Sequence, residues 1–175
     1  MVSLPVTRKK INLPSALING QQVENLLSYY SWSAAGIRDF SQLPIPFLCV
    51  ATDMLTGKEV IFREGYLPDA IRASIAIPSV FTPIKIDTAL LVDGGVVRNF
   101  AVTELREMGA DIVIGSYTGF KRYDESKLET FDGVLKQIGF FPSLADYENE
   151  KKKTDIIIEP DNKKTTTLAF KDIDS

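Results

Sequence analysis

Histidine is absent from all 175 residues, and cysteine occurs once. Without an imidazole, the chain's own side chains cannot build a Ser-His-Asp or Cys-His centre, a histidine-ligated metal site or a histidine pH switch. Proton transfer falls to carboxylates, lysine, tyrosine or backbone groups. One cysteine permits no intramolecular disulfide, and Cys49, set in Leu48-Cys49-Val50-Ala51, reads as a small buried hydrophobe rather than a nucleophile. No apolar run approaches the roughly 20 residues of a membrane-spanning helix, and the first ten residues lack a secretory core. Neither G-x-G-x-x-G nor the P-loop pattern can be written from the 11 glycines. A concentrated basic face is also lacking: 20 basic residues stand against 23 acidic ones. The only basic clusters are Arg8-Lys9-Lys10 and Lys151-Lys152-Lys153, the second following Glu148 and Glu150. That balance argues against a nucleic-acid partner.

What is present reads as one α/β domain over residues 1–175, with a polar end from 162 to 175 expected to be poorly ordered. The first 20 residues, with Pro5 and Pro14, read as loop. Val23, Leu26, Leu27 and Tyr30 predict a helix over Gln21 to Tyr30 that starts near Asn19-Gly20. Tyr29, Tyr30 and Trp32 are expected at the edge of a core in preference to the alternative, a lipid-facing lid. After the break at Pro44-Ile45-Pro46, the apolar run Phe47 to Thr52 predicts a strand covered on both faces, and Glu59 to Arg63 pairs with it across Thr56-Gly57.

Leu67, Ala70, Ile71, Ser74 and Ile75 predict one face of a helix that Pro78 ends. Two short β segments follow around Asp87-Thr88, then a helix over Val102 to Met108 and a buried strand through Ile112-Val113-Ile114. Helices over Lys127 to Ile138 and Leu144 to Lys153 and a strand over Asp155 to Glu159 complete the reading. Alternating apolar strands and helices indicate a layered α/β fold with a parallel component.

The feature richest in chemistry is Leu90-Leu91-Val92-Asp93-Gly94-Gly95, which delivers a carboxylate at the end of an apolar strand. Two glycines permit close approach of a ligand or of another backbone segment. Asp93 is therefore read either as a catalytic carboxylate at the sheet rim or as the cap of the turn that follows. A serine elbow of the G-x-S-x-G type is absent: glycines four apart occur only in Gly115-Ser116-Tyr117-Thr118-Gly119, which centres on Tyr117. Ser74 and Ser79 lack the glycine flanks and are expected to pack or cap. Asp53, Asp87 and Asp93 are chemically able to bind Mg²⁺, but their spacing gives no sign of it, and no cofactor is expected.

Four stretches in order resemble the patatin-like phospholipases, and their bacterial branch most closely: Phe47 to Asp53, Thr56-Gly57, Ile71 to Phe81 and Leu91 to Phe100. The resemblance runs from about Ile11 to about Asp161. It implies a patatin-like layered fold, a mixed sheet flanked by helices, and a serine-aspartate dyad that hydrolyses lipid acyl esters, with Asp93 as general base. Such a dyad needs no histidine. The family's glycine-rich oxyanion loop and G-x-S-x-G elbow are not in this sequence, and Ala101 stands where the family commonly has proline. The resemblance thus implies the carboxyl-side portion of the domain, inactive alone and expected to self-associate or to take a complementing chain that carries the missing strands. The alternative is a non-catalytic module that binds an acyl ligand or a partner protein.

Overall fold

A computed structural model describes residues 20–160 and the backbone of 6–7, 10–11 and 16–18. Arg8, Lys9 and the end from 162 to 175 lie outside the described residues. The chain gathers into two compact units, Met1–Asn99 and Phe100–Ser175.

In the first unit, β1 (Val6–Thr7) pairs antiparallel with β2 (Lys10–Ile11). The segment read as loop also holds β3 (Ala16–Ile18), and the apolar triplet Ala16-Leu17-Ile18 was the overlooked sign of it. Helix α1 occupies Gln21–Tyr30 behind the left-handed N-cap Gly20, as the apolar spacing predicts. It turns Val23 and Leu27 partly inward, so Tyr29, Tyr30 and Trp32 point away and stay 75%, 75% and 78% exposed. The expected core edge at these aromatics is therefore corrected.

Strands β4 (Cys49–Asp53) and β5 (Lys58–Phe62) form the predicted hairpin. Helix α2 covers Leu67–Ser74, then β6 (Ser79–Phe81) runs parallel to β3, and β7 (Ile84–Ile86) and β8 (Ala89–Asp93) make a second hairpin. The sheet order is β5-β4-β8-β7, antiparallel throughout. β4 is thus flanked on both sides, by β5 and β8.

α2 rotates its buried face relative to the predicted one. Ala70 and Ala73 are buried while Ile75 is exposed, and Ala51, Ala73 and Leu91 form the core between helix and sheet. Alanine lets a helix approach a sheet closely, so small side chains rather than the bulkiest ones set the contact. The helix ends at Ser74, earlier than Pro78 requires. A residue preceding proline is pushed out of the helical region, and the chain unwinds through the tighter bonds Ala76 N to Ala73 O and Ile77 N to Ile75 O.

In the second unit, α3 (Val102–Glu107), β9 (Ile114–Ser116), α4 (Phe131–Gly139), α5 (Phe141–Lys151) and β10 (Ile156–Ile158) surround Phe100, Val102, Val113, Tyr117 and Tyr147. β9 and β10 are parallel, pairing Ile114 with Ile156 and Ser116 with Ile158. Only Val113 of the expected buried triplet is covered; Ile112 is 69% and Ile114 61% exposed. Alternate residues of a strand face opposite sides, and a parallel pair normally has both faces covered. Here the second face is bare among the described residues.

The N-cap of α3 is Ala101, which has no side chain able to cap. Glu150 of α5 substitutes for it, accepting from Thr103 N at 2.6 Å and Thr103 Oγ1 at 2.7 Å while Lys153 Nζ lies 2.7 Å away. Burial pushes the Glu150 carboxyl up, but the Lys153 and Thr103 donors outweigh it and hold the group below its usual range. A depressed folded value contributes stability above the unfolded pKa, lost as pH falls through the folded one. Glu150→Ala is expected to cost about 2 to 3 kcal/mol at neutral pH by leaving the Thr103 N–H without its acceptor and removing the carboxylate partner of Lys153. Urea unfolding followed by tyrosine signals measures it, and an unchanged midpoint would show that the cap carries no weight.

Candidate active site

Asp93 closes β8 opposite Ala51 of β4. Its backbone N–H donates to Ala76 O at 3.0 Å, so the unwound end of α2 fixes where β8 stops. The chain then enters a 3-10 turn over Gly94–Val96, and Asp93 Oδ1 accepts from Gly95 N at 2.7 Å. One oxygen therefore caps the turn, the simpler of the two roles read from the sequence. Oδ2 has no hydrogen-bond partner among the described residues, leaving a lone pair for a proton. Burial pushes the carboxyl above its usual range, and the Gly95 N–H opposes that shift in part. A carboxylate so raised is a better proton acceptor near neutral pH than a solvated one.

The turn is held from several directions. Gly94 O accepts from Val97 N at 3.0 Å and Arg98 N at 2.7 Å, with Thr52 Oγ1 of β4 at 3.4 Å. A β-carbon on Gly94 would stand 2.7 Å from Val50 C, so the glycine is what lets the turn lie directly on β4. Arg98 reaches both carboxylate oxygens of Glu59 on β5 at 3.3 Å, tying down the end of the loop.

The other sequence candidates separate from this site. Asp53 closes β4, and because β4 and β8 are antiparallel the two carboxylates end their strands in opposite directions. Its oxygens accept from Leu55 N at 3.1 Å, Leu90 N at 3.2 Å and Thr56 Oγ1 at 2.8 Å. These bonds hold the Asp53 carboxyl below its usual range and make it the organiser of the β4 to β5 turn. Asp87 sits in the β7 to β8 turn with φ of 52°. Among the described residues no three His, Cys, Asp or Glu side chains are grouped to hold a metal ion.

Ser74 is the last residue of α2, and Ser79 opens β6 with φ of 70°, a conformation costly for a non-glycine residue. No hydrogen bond joins either serine to Asp93 among the described residues. Burial drives the Cys49 thiol up to about 12, leaving it protonated and inert. In the second unit Tyr117 stacks on Tyr147 and donates from Oη to Phe120 O at 2.9 Å; burial first, then nearby acidic groups, push its hydroxyl up to about 12. Ser116 lies in β9, paired with Ile158.

Sequence reasoning singled out Asp93 as a candidate but not the groups that hold it. Ala76 contributes a backbone carbonyl, which any residue would supply. Thr52 and Glu59 lie about 40 residues away along the chain.

Comparison with known proteins bears on the same stretch. A family model described as patatin-like phospholipase matches residues 3–106, more than half of the chain. An uncharacterised NTE family protein of Mycobacterium tuberculosis is 49% identical over 73 residues, 42% of this chain and 20% of the relative. A second from the same organism is 38% identical over 85 residues, 49% of this chain and 14% of the relative. Lysophospholipase NTE1 of Pyricularia oryzae is 26% identical over 109 residues, 62% of this chain and 7% of the relative. The chain thus spans a fifth or less of the length of these curated relatives.

Proposed function

This chain belongs to the patatin-like phospholipase family, and from that premise we propose that it forms the carboxyl-side part of a lipid acyl hydrolase with Asp93 as general base of a serine-aspartate dyad. The observation that carries the reading is the Asp93 carboxylate itself. One oxygen is fixed by Gly95 N, the other has no partner among the described residues, and burial raises its proton affinity.

In the completed site, serine Oγ attacks the acyl carbonyl while Asp93 Oδ2 takes the serine proton. The tetrahedral intermediate collapses, and the leaving alkoxide recovers that proton from Asp93. Water then attacks the acyl-serine, again giving its proton to Asp93, and the fatty acid departs as serine is reprotonated. The name lysophospholipase on a relative favours a lysophospholipid as the acyl ester.

The serine and its oxyanion loop come from a segment outside this sequence. The bare isoleucine face of the β9 and β10 pair supports a polypeptide that adds strands or helices there. With no nucleophile of its own, the chain is expected to be inert toward esters when alone, because members of a catalytic unit are strongly non-additive.

The test is a fluorogenic lysophospholipid assay of the 175-residue chain alone and co-expressed with the amino-side segment of the 49% identical mycobacterial relative. Turnover only in the mixture, lost on Asp93→Asn, is the expected result. Turnover by the chain alone that survives Asp93→Asn would remove Asp93 from the mechanism.

A further inference from the structure

The loop after Asp93 turns back on itself and returns a second polar side chain to the same spot. Gly94 O collects the N–H groups of Val97 and Arg98, and the Arg98 pair with Glu59 anchors the far end. As a result Asn99 Oδ1 lies 3.0 Å, and Asp93 Oδ1 3.1 Å, from the point where a β-carbon of Gly95 would sit. The carboxamide and the carboxylate thus border the same point over a residue that has no side chain to fill it.

The oxygen and nitrogen of a primary amide exchange places by a half-turn about the last side-chain bond, and the hydrogen-bond network decides which is presented. Beside a half-buried carboxylate, the amide N–H₂ is the favourable face.

The geometry points to Asn99 as a positioning residue for Asp93, donating from Nδ2 to the carboxylate and fixing its orientation together with Gly95 N–H. This rests on the dyad reading for its catalytic meaning, though not for its test. The two donors act on a carboxyl whose other influence is burial, and Arg98 of the loop is paired with Glu59 of β5. A donor to the ionised form lowers a carboxyl pKa, so its loss raises it.

The test is a carbon-13 NMR titration of the Asp93 carboxyl in the 175-residue chain and its variants, which needs no nucleophile and no turnover. Asn99→Ala is expected to raise the Asp93 midpoint by about one pH unit. Gly95→Ala, which puts a methyl between the two groups, should move it the same way. Asn99→Asp, replacing a donor by a like charge, should raise it further. Asn99 is exposed, so its variants are expected to fold. An Asp93 midpoint unmoved in all three variants would overturn the inference. Shifted midpoints without turnover in the complemented enzyme would instead sink the dyad reading and leave Asn99 as a partner of Asp93.

Discussion

Replacing Asp93 with asparagine is expected to lower acyl-ester turnover of the complemented enzyme about 10³-fold while raising the melting temperature of the chain at neutral pH. The two effects have opposite signs because they come from one source. Burial makes the Asp93 carboxylate a stronger base, and the same burial makes its ionised form unfavourable in the folded state. A group whose folded pKa is raised gives its full stability below its unfolded pKa and loses it as pH climbs through the folded value. Ionised Asp93 is therefore a cost near pH 7, and asparagine removes it. Asparagine also keeps an oxygen for the Gly95 N–H at 2.7 Å, so the turn survives. The gain in melting temperature should shrink on acidification and vanish below about pH 4, where the native carboxyl is also neutral. Thermal melts at pH 7 and at pH 3.5 check this. A variant less stable than the parent at both values would mean that Asp93 is a cap and nothing more.

Gly94→Ala should do the reverse, lowering stability and activity together. The added methyl carbon would lie 2.7 Å from Val50 C and nearer still to its carbonyl oxygen. Both are backbone atoms in the middle of β4, which is held on each side by β5 and β8. Neither can swing aside as the tip of a flexible side chain would, so the turn must lift off the strand. That movement weakens the Thr52 contact and withdraws the platform on which Asp93 and Asn99 meet. A loss of about 3 kcal/mol is expected, at the upper end of what overpacking costs. Urea unfolding measures it, and a midpoint within a few tenths of a molar of the parent would show that β4 accommodates the methyl. Gly95→Ala, whose nearest neighbours are side-chain atoms, should cost much less.

The parts of this fold legible in the sequence are those specified over short distances. The apolar spacing of Val23 to Tyr30 placed α1, Thr56-Gly57 placed the β4 to β5 hairpin, and Leu91-Val92-Asp93 placed the end of β8. What eluded reading depends on partners far along the chain. β3 is a strand because Ala16 and Ile18 pair with Ser79 and Phe81, over 60 residues away. The buried face of α2 follows the alanines because the sheet beneath admits close approach, which periodicity alone does not report. Ile112 and Ile114 look like core in one dimension, yet the alternation of a strand sends them to an uncovered side. The cap on α3 comes from Glu150, 47 residues beyond Thr103, and no local motif announces it. The site follows the same division: Asp93 was visible from its own neighbours, whereas the raised proton affinity and the Asn99 approach arise only when the loop closes.

The outward turn of α1 leaves the molecule with a built-in optical probe. Trp32 is the sole indole of the chain and stands in solvent just past the helix. Its emission should be that of a hydrated indole, at the red end of the tryptophan range. Covering by a bilayer or a protein surface would shift it to the blue without any label. The unit beginning at Phe100 holds no indole, and reports through Tyr117, Tyr123 and Tyr147 instead. Selective excitation at the red edge of the absorption band therefore reports on what covers the first unit alone.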